Sequence, residues 1–206
     1  MPKGEVSTTC CELTSLAETR STISNMDELW KQAVKDITDG AYFRVERALG
    51  GGEGFDDQII DWFNRGYFEN EPEALAEAVT CASFLGRSKV VSHLLDKGVD
   101  PVAGMRSGMN GFHYAASCGQ LEVVKVMIDR QVPMEIVNRY GGTVLGQALW
   151  SAINEHEGTH AEIIEALIGG GAKIHPGTLA WWEQQDLPSS ETKDRVTTAL
   201  RRALGK

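Results

Sequence analysis

Residues 108–132 read GMNGFHYAASCGQLEVVKVMIDRQV, and this stretch decides the fold. Its second half places apolar residues in two adjacent pairs, at Val123–Val124 and at Met127–Ile128. Pairs with this spacing lie on one face of an α-helix. The first half is rich in small side chains, which let a second short helix approach closely. Gly119 lies between the halves, where a tight reversal tolerates a positive φ, so the stretch predicts two helices joined by a turn.

The same pattern recurs on both sides of this stretch. Gly86 precedes Gly119 by 33 residues, and the apolar pair Val90–Val91 keeps that offset from Val123–Val124. A downstream copy places Ile163–Ile164 forty residues after Val123–Val124, which indicates about seven inserted residues upstream of it. A period of this length is the signature of a solenoid, in which each unit buries its apolar face against its neighbours.

The repeat resembles that of the ankyrin family, whose pattern runs G-x-T-P-L-H-x-A-A-x-x-G and then V-V-x-x-L-L-x-x-G-A. In the middle copy the family positions are held by Phe112, His113, Ala115, Ala116, Gly119, Val123 and Val124. Asn110–Gly111 replace the Thr-Pro pair, Gln131–Val132 replace the Gly-Ala end, and the block at residues 140–155 is similar to that of bacterial members. The resemblance covers roughly residues 70–175. It implies an all-α ankyrin-repeat solenoid of stacked helix-turn-helix pairs with short hairpin-like loops.

The chain is expected to divide into a disordered arm, two caps and three repeats. Residues 1–24 form the arm, and residues 25–206 form the ankyrin-repeat domain. Within that domain we expect a degenerate N-terminal cap at 25–68, repeats at 69–105, 106–138 and 139–175, and a C-terminal cap at 176–206. The third repeat carries the insertion of about seven residues. The loop before it places Asn138 three positions ahead of Gly141, which is typical of a type I turn.

Composition excludes several classes of function. The 206 residues carry 20 Lys and Arg against 29 Asp and Glu, for a net charge of −9. Binding to nucleic acid or to an anionic membrane surface needs a basic footprint, so neither partner is expected. The four cysteines include no C-x-x-C pair, and the sequence has no apolar run long enough for a membrane span. We therefore expect a cytoplasmic monomer with reduced thiols.

One short segment offers a catalytic alternative. Residues 156–160 read HEGTH, which matches the H-E-x-x-H signature of zinc proteases. In that chemistry His156 and His160 would ligate Zn²⁺ one helical turn apart, and Glu157 would act as the general base. The segment lies in the insertion, where a solvated loop is expected, and Gly158 is a poor helix former. A zinc-dependent hydrolase therefore ranks second to a non-enzymatic function.

The resemblance implies that the protein binds another protein and that it needs no cofactor. In ankyrin-like stacks partners bind on the concave face, which the first helix of each pair and the hairpin tips form. The residues expected on that face are Phe84, Leu85, Met105, Arg106, Met109, Tyr114, Arg139, Tyr140, Trp150 and Trp181. Aromatic, Met and Arg side chains are enriched at interface hot spots.

The sequence leaves two questions open, one about the exposure of this surface and one about the role of the protein. The aromatic side chains either are exposed for a partner or are covered by the insertion and the caps. The protein acts either as an adaptor or as a regulatory domain that inhibits a larger enzyme or confers immunity. The net charge of −9 favours a partner with a basic surface.

Overall fold

The computed structural model describes residues 25–154, 159–187 and 190–205. The predicted arm at 1–24 and the His156–Glu157 part of the HEGTH segment lie outside these ranges. Within them every regular element is a helix, and none of these helices is long and apolar enough to cross a membrane. The helices are α1 at 25–38, α2 Tyr42–Ala48, α3 Gly52–Asn64, α4 Pro72–Phe84, α5 Ser88–Asp96, α6 Gly111–Ser117, α7 Leu121–Asp129, α8 Val144–Asn154, α9 Thr159–Gly169, α10 Thr178–Glu183 and α11 Ser190–Ala203, with a 3₁₀ turn at Tyr67–Asn70.

The helices pack as consecutive pairs, and the pairs stack in chain order. Helix α4 pairs with α5, α6 with α7, α8 with α9, and α10 with α11. The first helices α4, α6 and α8 contact one another in sequence and form one layer, while α3, α5, α7, α9 and α11 form the second layer. The predicted all-α solenoid of stacked helix pairs is confirmed.

The apolar pairs of the second helices form the core between neighbouring units. Val90, Val123 and Ile163 are fully buried, and so are the residues that follow each of them. On the first helices the buried side chains that face this layer are mostly small, as at Ala82 and Ala115. Small side chains allow the two helices of a pair to lie close together, as the sequence predicts.

Left-handed backbone conformations end both helices of a unit. Gly86 and Gly119 have φ of +72° and +75° at the turn between the two helices. After the second helix, Gly98 and Gly171 have φ of +83° and +97°, and Gln131 occupies the corresponding place with φ of +56°. A residue with a Cβ atom is strained in this region, whereas glycine is not.

The insertion in the third repeat lengthens its first helix. Helix α8 has 11 residues, whereas the equivalent α6 has 7. Part of the insertion is thus helical, and residues 155–158 lie outside the described ranges.

A side chain on each of two first helices ties that helix to the hairpin tip that follows it. Thr80 donates its hydroxyl hydrogen to the carbonyl oxygen of Gly104, at 2.9 Å. His113 lies 33 positions later, and its Nε2 is 3.2 Å from the carbonyl oxygen of Gly142. Asn110 caps α6 by accepting the backbone N–H of His113 on its Oδ1, at 3.0 Å.

Ion pairs connect neighbouring helices along the second layer. Lys89 pairs with Asp57 at 2.8 Å, and Arg195 pairs with Glu165 at 2.7 Å. Because these side chains are partly to largely solvated, each pair contributes about 1 kcal/mol or less. The stacking therefore depends on the buried apolar residues and not on these charges.

Glycine at position 131 is expected to stabilise the protein. Gln131→Gly relieves the left-handed strain and should raise the free energy of unfolding by about 1 kcal/mol. The matched substitution Gly98→Gln, at a position where an added Cβ atom meets nothing within 4 Å, should lower it by a similar amount. Urea denaturation followed by circular dichroism measures both changes, and an unchanged midpoint in both variants would contradict this account.

Candidate partner-binding surface

The hairpin tip before α8 is built on the side chain of Asn138. Its Oδ1 accepts the backbone N–H groups of Tyr140 and Gly142, both at 2.9 Å. Gly141 has φ of +80° and donates its N–H to the carbonyl oxygen of Asn138, at 2.9 Å. The turn predicted from Asn138 and Gly141 is therefore present. It holds out the side chain of Tyr140, which is 78% exposed.

Tyr140 and Trp150 line a surface pocket of about 510 Å³. Trp150 lies in the C-terminal half of α8 and is 60% exposed. Gly142 and Gly146 also line the pocket, and because they lack side chains they leave its volume open. The remaining lining residues are Met109, Asn138 and Gln147. We call this site the Tyr140–Trp150 pocket.

The polar groups of the pocket are amides held by the surrounding structure. Asn138 Nδ2 donates to Gln147 Oε1 at 3.1 Å. Gln147 Nε2 in turn donates to the hydroxyl of Ser117 on α6, at 3.2 Å. These bonds link the tip to two first helices, so the pocket is formed before any ligand arrives.

A second group of aromatic side chains lies toward the N-terminal end of the same layer. Phe84 on α4 is in edge contact with Phe43 on α2 and with Tyr114 on α6, with ring centroids 5.1 and 5.5 Å apart. Phe43 is 64% exposed, whereas Phe84 and Tyr114 are half-buried. We call these three residues the aromatic row. The repeat pattern of the sequence does not point to Phe43, because this residue lies in the degenerate first unit.

Glu77 joins Tyr42, whose ring contacts Phe84 of the aromatic row, to the hairpin tip between α5 and α6. The buried phenol of Tyr42 donates to Glu77 Oε2 at 3.0 Å, and the backbone N–H of Arg106 donates to Glu77 Oε1 at 2.9 Å. Burial, and then the Glu77 charge, raise the pKa of Tyr42 far above its usual range, so the phenol stays protonated. The Arg106 side chain pairs with Glu73 at 2.9 Å. Tyr42 and Glu77 are not among the residues predicted from the sequence. The one signal that could have pointed to them is an acidic residue within a helix of small, buried side chains.

The other residues expected on this face differ in exposure. Leu85 and Met105 are half-buried, and Arg106 and Arg139 are exposed. Trp181 lies on α10 and is 36% exposed. Among the described residues, the ring contacts that form the aromatic row include neither Trp150 nor Trp181. The predicted residues therefore lie in more than one cluster along the stack.

His160 lies in the first turn of α9 and not in a solvated loop. Its side chain is only 1% exposed, and Nε2 is 3.1 Å from the carbonyl oxygen of Ser117. Because a carbonyl oxygen can only accept, Nε2 carries the hydrogen. Three or more His, Cys, Asp or Glu side chains do not cluster as a metal site within the described ranges. The packing of His160 corrects the expectation of a loop and offers no support for the zinc hydrolase.

The stacked helix pairs and their hydrogen-bonded tips define the class of protein, a helical repeat solenoid. The profile for ankyrin repeats in three copies matches residues 75–177, half of the chain, and the chain belongs to the ankyrin repeat family. It is similar to a rabbit (Oryctolagus cuniculus) protein, "Ankyrin repeat, SAM and basic leucine zipper domain-containing protein 1", at 32% identity over 90 residues. That match covers 39% of this chain and 19% of the rabbit protein.

Removing the exposed rings is expected to leave stability nearly unchanged. Trp150→Ala and Tyr140→Ala should each change the free energy of unfolding by less than about 0.5 kcal/mol, because the rings contact mainly water. Trp182→Ala is the matched comparison: this ring is fully buried and donates Nε1–H to Thr197 at 3.2 Å. Its loss should lower stability by about 3–5 kcal/mol. Thermal denaturation separates the two results, and a large loss at Trp150 would mean that its ring is part of the core.

Loss of the His160 imidazole is expected to destabilise the fold. His160→Ala leaves the carbonyl oxygen of Ser117 without this donor and should lower stability by about 1–3 kcal/mol. Metal analysis of protein purified without a metal-affinity tag gives a separate readout. One equivalent of zinc that disappears in the variant would overturn the structural assignment of His160.

Proposed function

We propose that this protein is a non-enzymatic module that binds a partner protein on its concave face, formed by the first helices and the hairpin tips. The observation that carries the proposal is the exposure of Tyr140 and Trp150 around one pocket, which α8 and the hairpin tip before it form. Ankyrin repeats in general mediate interactions between proteins, which agrees with this function.

Large aromatic side chains exposed together favour burial in a complex. Large contiguous apolar patches, of more than about a few hundred Å², are rare on monomeric proteins and mark sites of interaction. Phe43 is 64% exposed beside the half-buried Phe84 and Tyr114, so a second part of this face has the same character. Aromatic anchors contribute most of the binding energy at many interfaces.

The residues of this surface are also preorganised for binding. The tip that carries Tyr140 is fixed by the hydrogen bonds of Asn138, and Trp150 lies on a helix. Groups already held in their bound positions lose less conformational entropy on association. The same surface would serve an adaptor or an inhibitor of a larger enzyme.

Charge adds a proposal about the partner. We propose a monomeric, cytoplasmic protein, and its net charge of −9 favours a partner that has a basic surface. Long-range attraction between opposite charges accelerates association and weakens as salt screens it. Capture of the partner should therefore decrease as ionic strength rises.

Capture experiments test the function. The purified protein, immobilised, should retain a specific protein from a lysate of its source organism, identified and quantified by mass spectrometry. Trp150→Ala with Tyr140→Ala should lower the retained amount by tenfold or more, because truncating two hot-spot residues costs more than about 2 kcal/mol together.

The matched control is Leu204→Ala, which removes another exposed apolar side chain, beyond the end of α11. It should retain the partner like the unmodified protein. Equal capture by the double variant and by this control would place binding elsewhere and reject the proposed surface.

A further inference from the structure

The hydrogen-bond acceptors of the Tyr140–Trp150 pocket are already in use. Asn138 Oδ1 accepts two backbone N–H groups, and Gln147 Oε1 accepts from Asn138. The carbonyl oxygen of Gly142 lies within hydrogen-bond distance of the backbone N–H of Asn138, at 2.9 Å, and of His113 Nε2, at 3.2 Å. A ligand that brings many donors would find few open acceptors here.

The hydrogen-bond donors of the pocket, unlike its acceptors, are available to a ligand. Within the described ranges, the Trp150 indole N–H and the Tyr140 hydroxyl have no protein hydrogen-bond partner, and both side chains are exposed. Gln147 Nε2 has two hydrogens, of which one is donated to Ser117. The pocket therefore suits a ligand that offers acceptors and few donors.

Charge narrows the class of ligand further. The residues that line the pocket are Met109, Asn138, Tyr140, Gly142, Gly146, Gln147 and Trp150, and none is charged. An aromatic pair can attract a cation, but an ammonium group brings three donors and no acceptor. With no carboxylate in the lining, a buried cation would lack a counter-charge. An uncharged ligand is favoured.

We propose that the Tyr140–Trp150 pocket binds a proline-containing segment of the partner in the polyproline II conformation. This inference rests on the proposed function and names the chemistry of the segment that binds. Proline offers a carbonyl acceptor and no N–H donor. Its ring packs on aromatic faces, and aromatic-lined grooves take preformed polyproline II segments with little loss of entropy.

The spacing that packed helices generally have matches the pitch of this conformation. Polyproline II makes one turn in three residues at about 3.1 Å each, or about 9 Å per turn. Packed helices lie about 8–10 Å apart. A segment that crosses from α8 to α6 and α4 therefore presents one turn to each helix.

A direct binding experiment tests the proposal on the full chain. The protein is labelled with ¹⁵N at tryptophan, and the Trp150 indole resonance is identified by its loss in Trp150→Phe. A capped decaproline peptide, titrated to millimolar concentration, should shift this resonance to saturation. A capped decapeptide of alternating glycine and serine, and capped decalysine, should leave it unshifted.

Variants at Gly146 show whether the peptide occupies the pocket. An added Cβ atom at Gly146 meets only Thr143 Oγ1, at 3.4 Å, so α8 can accept a side chain there. Gly146→Leu fills the pocket and should abolish the shift, while a better helix former keeps the melting temperature at or above that of the unmodified protein. Gly146→Ala, the control, should still bind decaproline. Tyr140→Phe, which lacks the hydroxyl donor, should bind about three- to tenfold more weakly.

Three outcomes would overturn the inference. Decaproline could fail to give a saturable shift, decalysine or the glycine–serine peptide could bind as well as decaproline, or Gly146→Leu could bind like the unmodified protein. Partner capture that depends on Trp150 and Tyr140, together with any of these outcomes, would reject the ligand class alone. If decaproline does not bind and partner capture does not depend on Trp150 and Tyr140, the proposed binding surface is rejected as well.

Discussion

Each helix pair carries apolar side chains on its second helix that it cannot bury by itself. Val90, Val123 and Ile163 are fully buried, and the second helices that carry them pack against the second helices of neighbouring pairs. This requirement sets the stack, and the stack sets the position of every first helix and hairpin tip. The core is complete without the rings of Tyr140 and Trp150, so those rings are free to contact something else.

The tips are attached to the first helices through particular side chains. Thr80 and His113 occupy equivalent positions and donate to carbonyl oxygens of the tips that follow them. Asn138 holds the hairpin tip before α8 through hydrogen bonds from its side chain to backbone N–H groups of the same tip. The exposed face is therefore built from rigid parts, although its residues lie far apart in the sequence.

Periodicity explains which parts could be predicted from the sequence. The buried pairs and the turn glycines repeat at a fixed offset, so their roles are readable wherever the repeat is regular. Phe43 lies in a unit where the repeat is degenerate, and no offset points to it. His160 is part of a short motif that suggests a loop and a metal, whereas its role is set by a carbonyl oxygen in the preceding unit.

The pocket itself depends on features that no single motif shows. The pocket requires Tyr140 at the hairpin tip and Trp150 on α8, the helix that follows this tip. It also requires a residue without a side chain between the two rings. Both rings are predicted from the sequence as surface residues, but the sequence does not place them around Gly146. That arrangement follows from the packing of α8 against its own hairpin tip.

Gly146 also has a consequence for how an elongated ligand would be positioned along the stack. Identical units would offer the same site at every step, and a ligand could shift by one repeat without loss. Here the equivalents of Gly146 are Thr80 and His113, whose side chains tie helix to tip. The two preceding repeat units therefore differ from the third unit at this position. The absence of a side chain at Gly146 distinguishes the third unit from the other two. An elongated ligand would therefore bind in one register along the stack.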